Sequence, residues 1–211
     1  MKSLKRFSAS HHQLNGSIPD FTNKVNFKEL WIRDNQLVSP LPNFPTSIEE
    51  ILLGGNSFSG GFPNIRGLNN LEILHLSNNA FGGVIPNDIF EETMAISVLD
   101  LSFNNFHGPL PSSIEHLSDL SLFIANDNKF NGNLLPRELD KHPLIAQIFA
   151  FNNDFDGSVP ISWFSDSLKH LTTLVLSNNK RLKGSLPSRI SSPKLLVAHF
   201  LVRFHKISHR I

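Results

Sequence analysis

The chain has 211 residues, 40% of them hydrophobic and 18% charged, a balance that fits one domain or one short repeat array and excludes a disordered chain. A formal net charge of +1 gives no general attraction to nucleic acid or to an anionic membrane. The sequence contains no cysteine, which excludes a disulfide framework and a cysteine-ligated metal.

Neither end of the chain carries a membrane or secretion signal. The basic start is not followed by the apolar run of a signal peptide. The longest apolar stretch, Leu195 to Phe204, is interrupted by His199 and Arg203 and is too short to cross a bilayer core of roughly 30 Å. We therefore expect no membrane insertion by this chain itself.

One pattern recurs eight times along the chain. It consists of two alternating apolar residues followed by Asn, then Leu or Phe, then Gly and Pro, as in Leu74-His-Leu-Ser-Asn-Asn-Ala-Phe-Gly-Gly-Val-Ile-Pro86. Successive Asn positions are 21 to 26 residues apart, a period that is typical of a solenoid. In chain order these positions are His12, Asn35, Asn56, Asn79, Asn104, Asn128, Asn153 and Asn179.

Each column of the repeat predicts a local structure. Pairs such as Leu99 and Leu101 alternate with polar residues, which indicates a half-buried strand, and strands of neighbouring repeats stack in parallel. We expect about eight such strands in one sheet. The Asn side chains form a structural ladder that satisfies the backbone of each turn, so Asn104→Ala is predicted to cost about 1–3 kcal/mol. The outward neighbour Asp100 is predicted to cost about 0.5 kcal/mol or less when replaced by Ala.

The second half of the repeat, as in Leu14-Asn-Gly-Ser-Ile-Pro19, resembles the plant-type leucine-rich-repeat family over roughly residues 4–190. The resemblance implies an α/β repeat solenoid, a right-handed superhelix with a concave parallel β-sheet and an irregular or 3₁₀ convex side. It also implies a receptor-like protein or receptor-kinase ectodomain that acts in extracellular recognition, in defence or development.

The ends of the array depart from the repeat. Residues 1–190 are predicted to form the array and residues 191–211 a degenerate or unrelated tail. Leu195 and Val197 could mimic one more strand, but the Asn position would then fall on Phe200. The cysteine-paired caps usual in extracellular members of the family are absent, so we expect a fragment of a longer protein, with a short complete protein as the alternative.

No catalytic or cofactor motif is found, so we predict neither an enzyme nor a cofactor. His205 and His209 have the i, i+4 spacing of metal ligands on a helix, but no third ligand is evident, and a solvated tail is favoured over a metal site. Asn15-Gly-Ser17 is the one N-glycosylation sequon in the chain.

Candidate binding residues lie on the outward face of the strands. Ile124, Phe149, Phe151 and Phe103 are predicted to form an exposed apolar patch on the concave face, with Trp31 as a second anchor. The competing interpretation is that an adjoining segment or domain covers this patch. The central outward column comprises Ser8, Trp31, Leu52, His75, Asp100, Ile124, Phe149 and Val175.

The leading functional hypothesis is a non-catalytic module that binds a protein or peptide ligand at the cell surface. The alternatives are a cytoplasmic scaffold, which the missing signal peptide and cysteines favour, and the recognition part of a receptor kinase. No nucleic-acid partner is predicted, and the sequence leaves the ligand and the oligomeric state open.

Overall fold

The computed structural model describes residues 3–134, 142–159, 163, 168–183 and 197–199. In this part of the chain each repeat contributes one strand to a continuous parallel sheet, and most repeats contribute a second strand on the flank. The stacked turns confirm the leucine-rich-repeat solenoid that the sequence predicts.

The continuous sheet has nine parallel strands in simple chain order. The order follows from the period, because each strand lies one repeat from the next and only neighbouring repeats touch. The strands are β1 (Arg6–Ser8), β3 (Glu29–Trp31), β5 (Glu50–Leu52), β7 (Ile73–His75), β9 (Val98–Asp100), β11 (Leu122–Ile124), β13 (Gln147–Phe149), β15 (Thr173–Val175) and β17 (Val197–His199).

Alternation along each strand separates core from surface. Leu74 and Leu76 are fully buried, whereas His75 between them faces the open side of the sheet. The predicted inward positions Leu101 and Leu176 are buried in the same way. The central inward residues form one continuous column through the core, namely Leu30, Ile51, Leu74, Leu99, Phe123, Ile148 and Leu174.

The Asn ladder joins neighbouring turns. The Oδ1 atom of Asn104 accepts a hydrogen bond from the Phe81 amide at 3.0 Å, and its Nδ2 atom donates to the carbonyls of Leu76, Leu101 and Ser102. Asn35 makes the equivalent set of bonds near the start of the array. Because the side chain both donates and accepts, one residue type satisfies four backbone groups per repeat. His12, at this position in the first repeat, is exposed.

A second layer of strands runs along the flank. These strands form a six-stranded parallel sheet and a separate two-stranded one. They are β2 (Asn15–Gly16) and β4 (Gln36–Leu37), then β6 (Ser59–Gly60), β8 (Ala80–Gly83), β10 (Asn105–Gly108), β12 (Lys129–Asn133), β14 (Asn153–Ser158) and β16 (Asn179–Lys183).

A stack of phenylalanines lies beneath this flanking layer. The rings of Phe58, Phe81, Phe106, Phe130 and Phe155 are buried and follow one another at centroid distances of 6.0–6.2 Å. Stacked aromatic pairs at this spacing add stabilisation beyond the area they bury. The Phe column of the repeat is therefore structural.

The convex side is irregular and includes the 3₁₀ helix Ser112–His116, and the described residues contain no α-helix. The last described strand, Val197–His199, pairs with Thr173–Val175, so the sheet continues beyond the expected eight strands. Its register sets Ala198 opposite Leu174, three positions later than an alignment on Leu195 would give. The domain boundary at residue 190 stays a prediction, because it and the pair His205 and His209 lie outside the described residues.

Candidate ligand-binding surface on the concave sheet

The open face of the nine-stranded sheet carries two aligned columns of outward side chains, one on each side of the buried column. The first column is Arg6, Glu29, Glu50, Ile73, Val98, Leu122, Gln147 and Thr173, and the second is the central outward column predicted from the sequence. The first column is charged in the first three repeats and apolar in the next three, and the second column is apolar from Ile124 onward.

The first three repeats form what we call the charged half. The guanidinium of Arg6 makes an ion pair with Glu29 and lies 4.3 Å from the centroid of the Trp31 ring. The indole Nε1 of Trp31 donates a hydrogen bond to Glu50 at 2.8 Å. Lys28 forms an ion pair with Glu49, whose hydrogen bond raises the pKa of the Lys28 ammonium. The polar groups on this half are therefore largely engaged with one another.

The turns that follow the strands β1 and β3 of the charged half contain one further pair of side chains and one cation that has no acidic partner in the described part of the chain. His11 Nδ1 lies 3.0 Å from an oxygen of Asp34. Arg33 forms no ion pair within the described residues, and its Nε atom is buried without a hydrogen bond. Arg33 is thus the exception to the internal pairing of this half.

A buried polar cluster marks the boundary between the two halves. His75 Nε2 lies 3.0 Å from Asp100, and Asp100 accepts two hydrogen bonds from Ser102, from its amide at 3.0 Å and its hydroxyl at 2.7 Å. Burial acts to raise the pKa of the Asp100 carboxyl, but the hydrogen bonds from His75 and Ser102 outweigh it, and the pKa lies below its usual range. A Cβ atom on Gly54 would lie 2.6 Å from the His75 ring, so glycine at this position leaves room for the imidazole.

The same cluster does not form a hydrolytic triad. The hydroxyl of Ser77 lies 3.4 Å from both ring nitrogens of His75, so it is not aligned with either one. In a serine-hydrolase triad the serine and the aspartate bond to opposite nitrogens of the imidazole. This geometry supports a structural rather than a nucleophilic role for the three residues.

The later repeats present what we call the apolar surface, which consists of Ile73, Val98, Leu122, Ile124, Phe149, Phe151 and Val175. Ile124, Phe149 and Val175 stand side by side on β11, β13 and β15, and Val98 and Leu122 are paired in the neighbouring column. All seven side chains are half-buried. A contiguous apolar area on a rigid sheet is a typical feature of a partner-binding site.

Comparison with known proteins finds relatives that are built from leucine-rich repeats. The family model described as "Leucine Rich Repeat" matches residues 70–91 and 95–117. Receptor-like protein 18 of Arabidopsis thaliana is 35% identical over 213 residues, which cover 92% of this chain and 25% of the relative. The chain belongs to the plant-type leucine-rich-repeat family. It spans a quarter or less of the length of the curated relatives that it matches.

Solved ectodomains of this leucine-rich-repeat family share the fold. The ectodomain of the receptor kinase GASSHO1/SCHENGEN3 from Arabidopsis thaliana, in complex with CASPARIAN STRIP INTEGRITY FACTOR 2, superposes with a TM-score of 0.78 at 31% identity over 88% of this chain and 22% of that one. The Arabidopsis receptor kinase HAESA, in complex with the peptide hormone IDA and the co-receptor SERK1, gives 0.69 at 29% identity over 90% and 40%.

The structure brings three of the five predicted binding residues of this leucine-rich-repeat array together. Ile124 and Phe149 are direct neighbours, and Phe151 lies two residues beyond Phe149, where the strand β13 ends. Phe103 stands at the turn after β9, where its side chain is 55% exposed. Trp31 lies four strands from Ile124, about 19 Å at about 4.8 Å per strand, and does not join the patch.

Two features of the surface were missed or mistaken from the sequence. Ile73, Val98 and Leu122 extend the apolar surface. Each lies one residue before the buried centre of its strand, and this position in the alternation predicts an outward side chain. The exposure assumed for Asp100, on which the low cost expected for Asp100→Ala depends, is wrong. Asp100 is only 6% exposed because His75 from the preceding repeat covers it, and its loss would leave His75 and Ser102 without their acceptor.

Three further sequence predictions concern the glycosylation sequon, membrane insertion and metal binding. Asn15 of the sequon is exposed on β2. Among the described residues no helix has the length and apolar character needed to span a bilayer. The same part of the chain contains no group of three or more His, Asp or Glu side chains arranged to hold a metal ion.

Proposed function

We propose that this leucine-rich-repeat array is a non-catalytic recognition module that binds a protein or peptide ligand on its concave face. The observation that carries the proposal is the apolar surface, whose side chains lie on the outward face of the sheet and are only half-buried. Ile124, Phe149 and Phe151 provide the main contact, Phe103 contributes at the rim, and Trp31 provides a second and weaker one.

The relatives support the biological setting of this proposal. They are receptor-like proteins and receptor kinases, and two of the solved ectodomains are described in complex with a named factor or a peptide hormone. We propose by analogy that the array works outside the cell, in defence or developmental signalling, as part of a receptor-like protein. The exposed sequon at Asn15 agrees with an extracellular site, where it would carry a glycan.

Peptides selected from a random library can stand in for the ligand in the first test. A random dodecapeptide library displayed on phage is selected against the full 211-residue chain, and the affinities of selected peptides are measured by fluorescence anisotropy. Phe149→Ala is expected to weaken binding at least about tenfold, because a few aromatic side chains near the centre of an interface supply most of its affinity. Its unfolding midpoint should stay close to that of the wild-type chain.

A matched variant separates a specific effect from a general loss of apolar surface. Val84→Ala removes an apolar side chain that is 53% exposed just after the flanking strand β8, and it should leave peptide binding unchanged. The proposal fails if selected peptides bind Phe149→Ala as tightly as the wild-type chain. It also fails if Phe149→Ala unfolds the array while the remaining folded molecules keep their affinity.

A further inference from the structure

Phe103 occupies an unusual backbone position. The residue two after the last buried strand position adopts a positive φ in every described repeat from the first to the eighth, and it is His11, Asp34, Gly55, Asn78, Phe103, Asp127, Asn152 or Asn178. Gly, Asn and Asp tolerate this left-handed conformation, whereas a bulky aromatic residue does not favour it. Phe103 has a φ of 51° and leaves 55% of its surface in water, so neither conformation nor packing explains it.

Asp127 stands beside Phe103 at the same position of the next repeat. The two turns are joined by backbone hydrogen bonds, from the Phe103 amide to Asn126 at 3.0 Å and from the Asn104 amide to Asp127 at 3.2 Å. The Asp127 carboxylate accepts from the side-chain amides of Asn126 at 2.7 Å and Asn152 at 2.6 Å. Both donors are neutral, so they hold the carboxylate in place without cancelling its charge.

The outward positions of the concave face around this pair carry charge of one sign, and the nearby cation Lys129 lies on the flanking strand β12, where its ammonium donates to Asn105 Oδ1 at 3.1 Å. From Ile73 to Asn178, the outward strand positions and the turn residues after them include Asp100 and Asp127 but no Lys or Arg. Asp100 is paired with His75, whereas Asp127 forms no ion pair within the described residues. The apolar surface is therefore bordered by a fixed negative charge and an exposed aromatic ring.

We infer that the ligand presents a basic side chain to Phe103 and Asp127, next to apolar side chains that cover the apolar surface. A guanidinium or ammonium group can lie over the face of an aromatic ring and pair with a neighbouring carboxylate. The partner is thus a peptide segment that carries an Arg or Lys close to aliphatic or aromatic residues. This inference rests on the proposed function and specifies the chemistry of its ligand.

Three synthetic dodecapeptides test this chemistry directly. Leucine alternates with arginine in the first, with glutamine in the second and with glutamate in the third. The arginine peptide should bind the full chain about fivefold or more tightly than the glutamate peptide at low salt, with the glutamine peptide between them. The difference between the peptides should shrink in 0.5 M NaCl. At that ionic strength the Debye length is about 4 Å, so the attraction within an exposed ion pair is strongly screened.

Variants of the two residues assign the preference. Asp127→Asn should reduce the advantage of the arginine peptide about threefold, a typical value for one solvent-accessible ion pair. Asp154→Asn, which removes an exposed carboxylate from the flanking strand β14, is the matched control and should have no effect. Phe103→Asn should weaken the arginine peptide about tenfold or more. It should also leave the unfolding midpoint equal or higher, because Asn suits the left-handed turn.

The outcomes separate this inference from the proposed function. The inference is overturned if the arginine peptide binds no tighter than the glutamine peptide, or if Asp127→Asn and Asp154→Asn act alike. It is also overturned if Phe103→Asn leaves the affinity within about twofold of wild type. If all three peptides fail to bind while library-selected peptides still depend on Phe149, the ligand chemistry is wrong and the binding surface stands. If the library-selected peptides do not depend on Phe149 either, the proposed function fails.

Discussion

The two halves of the concave sheet share one scaffold but present opposite surfaces. In the charged half, Arg6 is engaged by Glu29 and Trp31, and Lys28 by Glu49. In the later repeats the outward strand positions hold apolar side chains such as Leu122, Ile124 and Phe149, which form no ion pairs or hydrogen bonds with their neighbours and are only half-buried. The repeat therefore fixes where a side chain points but leaves its chemistry free to vary, and we propose that the ligand binds to the half that carries the apolar surface.

Removing one member of the Asn ladder gives the largest expected effect and tests whether the scaffold is the same in both halves. Asn35→Ala in the charged half and Asn104→Ala behind the apolar surface should each lower the free energy of unfolding by about 1–3 kcal/mol, because each removes the partner of four backbone groups. Urea titration measures both. Asn105→Ala, an exposed neighbour on β10, is the control and should change it by about 0.5 kcal/mol or less.

Unequal costs would break the comparison. A loss at Asn104 with none at Asn35 would mean that the early repeats are not held by the ladder. The two halves would then differ in scaffold as well as in surface.

The scaffold could be predicted from the sequence because it depends on positions that recur in every repeat. Asn104, Phe106 and Leu101 each face the same neighbours as their counterparts one repeat away, so a single copy of the pattern describes them all. The flanking sheet of six strands follows from backbone pairing that the side-chain pattern does not encode.

The surface could be predicted only in part, because it depends on neighbours that do not recur. Asp100 is buried by His75 of the preceding repeat, and Trp31 is engaged by Arg6 of the repeat before it. Such contacts are specific to one pair of repeats. The alternation of inward and outward positions also assigns Ile73, Val98 and Leu122 to the open face, because each lies one residue before a buried strand centre.

The Asp100 cluster sharpens the boundary between the halves. Asp100→Ala should lower the free energy of unfolding by about 1–2 kcal/mol, because it leaves buried donors on His75 and Ser102 without an acceptor. Asp154→Ala, which removes an exposed carboxylate, is the matched control for the same urea titration. Equal midpoints for the two variants would show that Asp100 is not held in the cluster.

Trp31 tests how far binding extends into the charged half. Trp31→Ala should weaken library-selected peptides by about threefold or less, because an indole already bonded to Glu50 and covered by Arg6 has little free surface to offer. Fluorescence anisotropy on the same peptides used for Phe149→Ala gives the comparison. A loss as large as that of Phe149→Ala would make the charged half an equal part of the site.

The smallest expected effect is a pH dependence of the free energy of unfolding that comes from the buried side chain of His142. Burial lowers the pKa of His142, whose Nδ1 atom lies 2.9 Å from the Leu117 carbonyl. The unfolded chain then binds a proton more readily than the folded one, so stability is full above the unfolded pKa of about 6.5 and falls as the pH drops below it.

A single variant isolates this contribution. The free energy of unfolding of the wild-type chain should fall between pH 7.5 and 5.5. The uptake of one proton by His142 can contribute at most about 1.4 kcal/mol per pH unit to that slope. His142→Gln should lose less over the same range, as measured by urea midpoints at both pH values. Identical pH dependence of the two proteins would show that His142 does not contribute.

Photo-crosslinking tests the central difference between the halves most directly. A library-selected peptide that carries a photoreactive benzophenone side chain is bound to the full chain, irradiated, and its attachment sites are mapped by mass spectrometry. We expect attachment to cluster between Val98 and Phe151, on the apolar surface and at Phe103. Attachment concentrated between Arg6 and Leu52 would contradict the account, because it would place binding on the half whose side chains already engage one another.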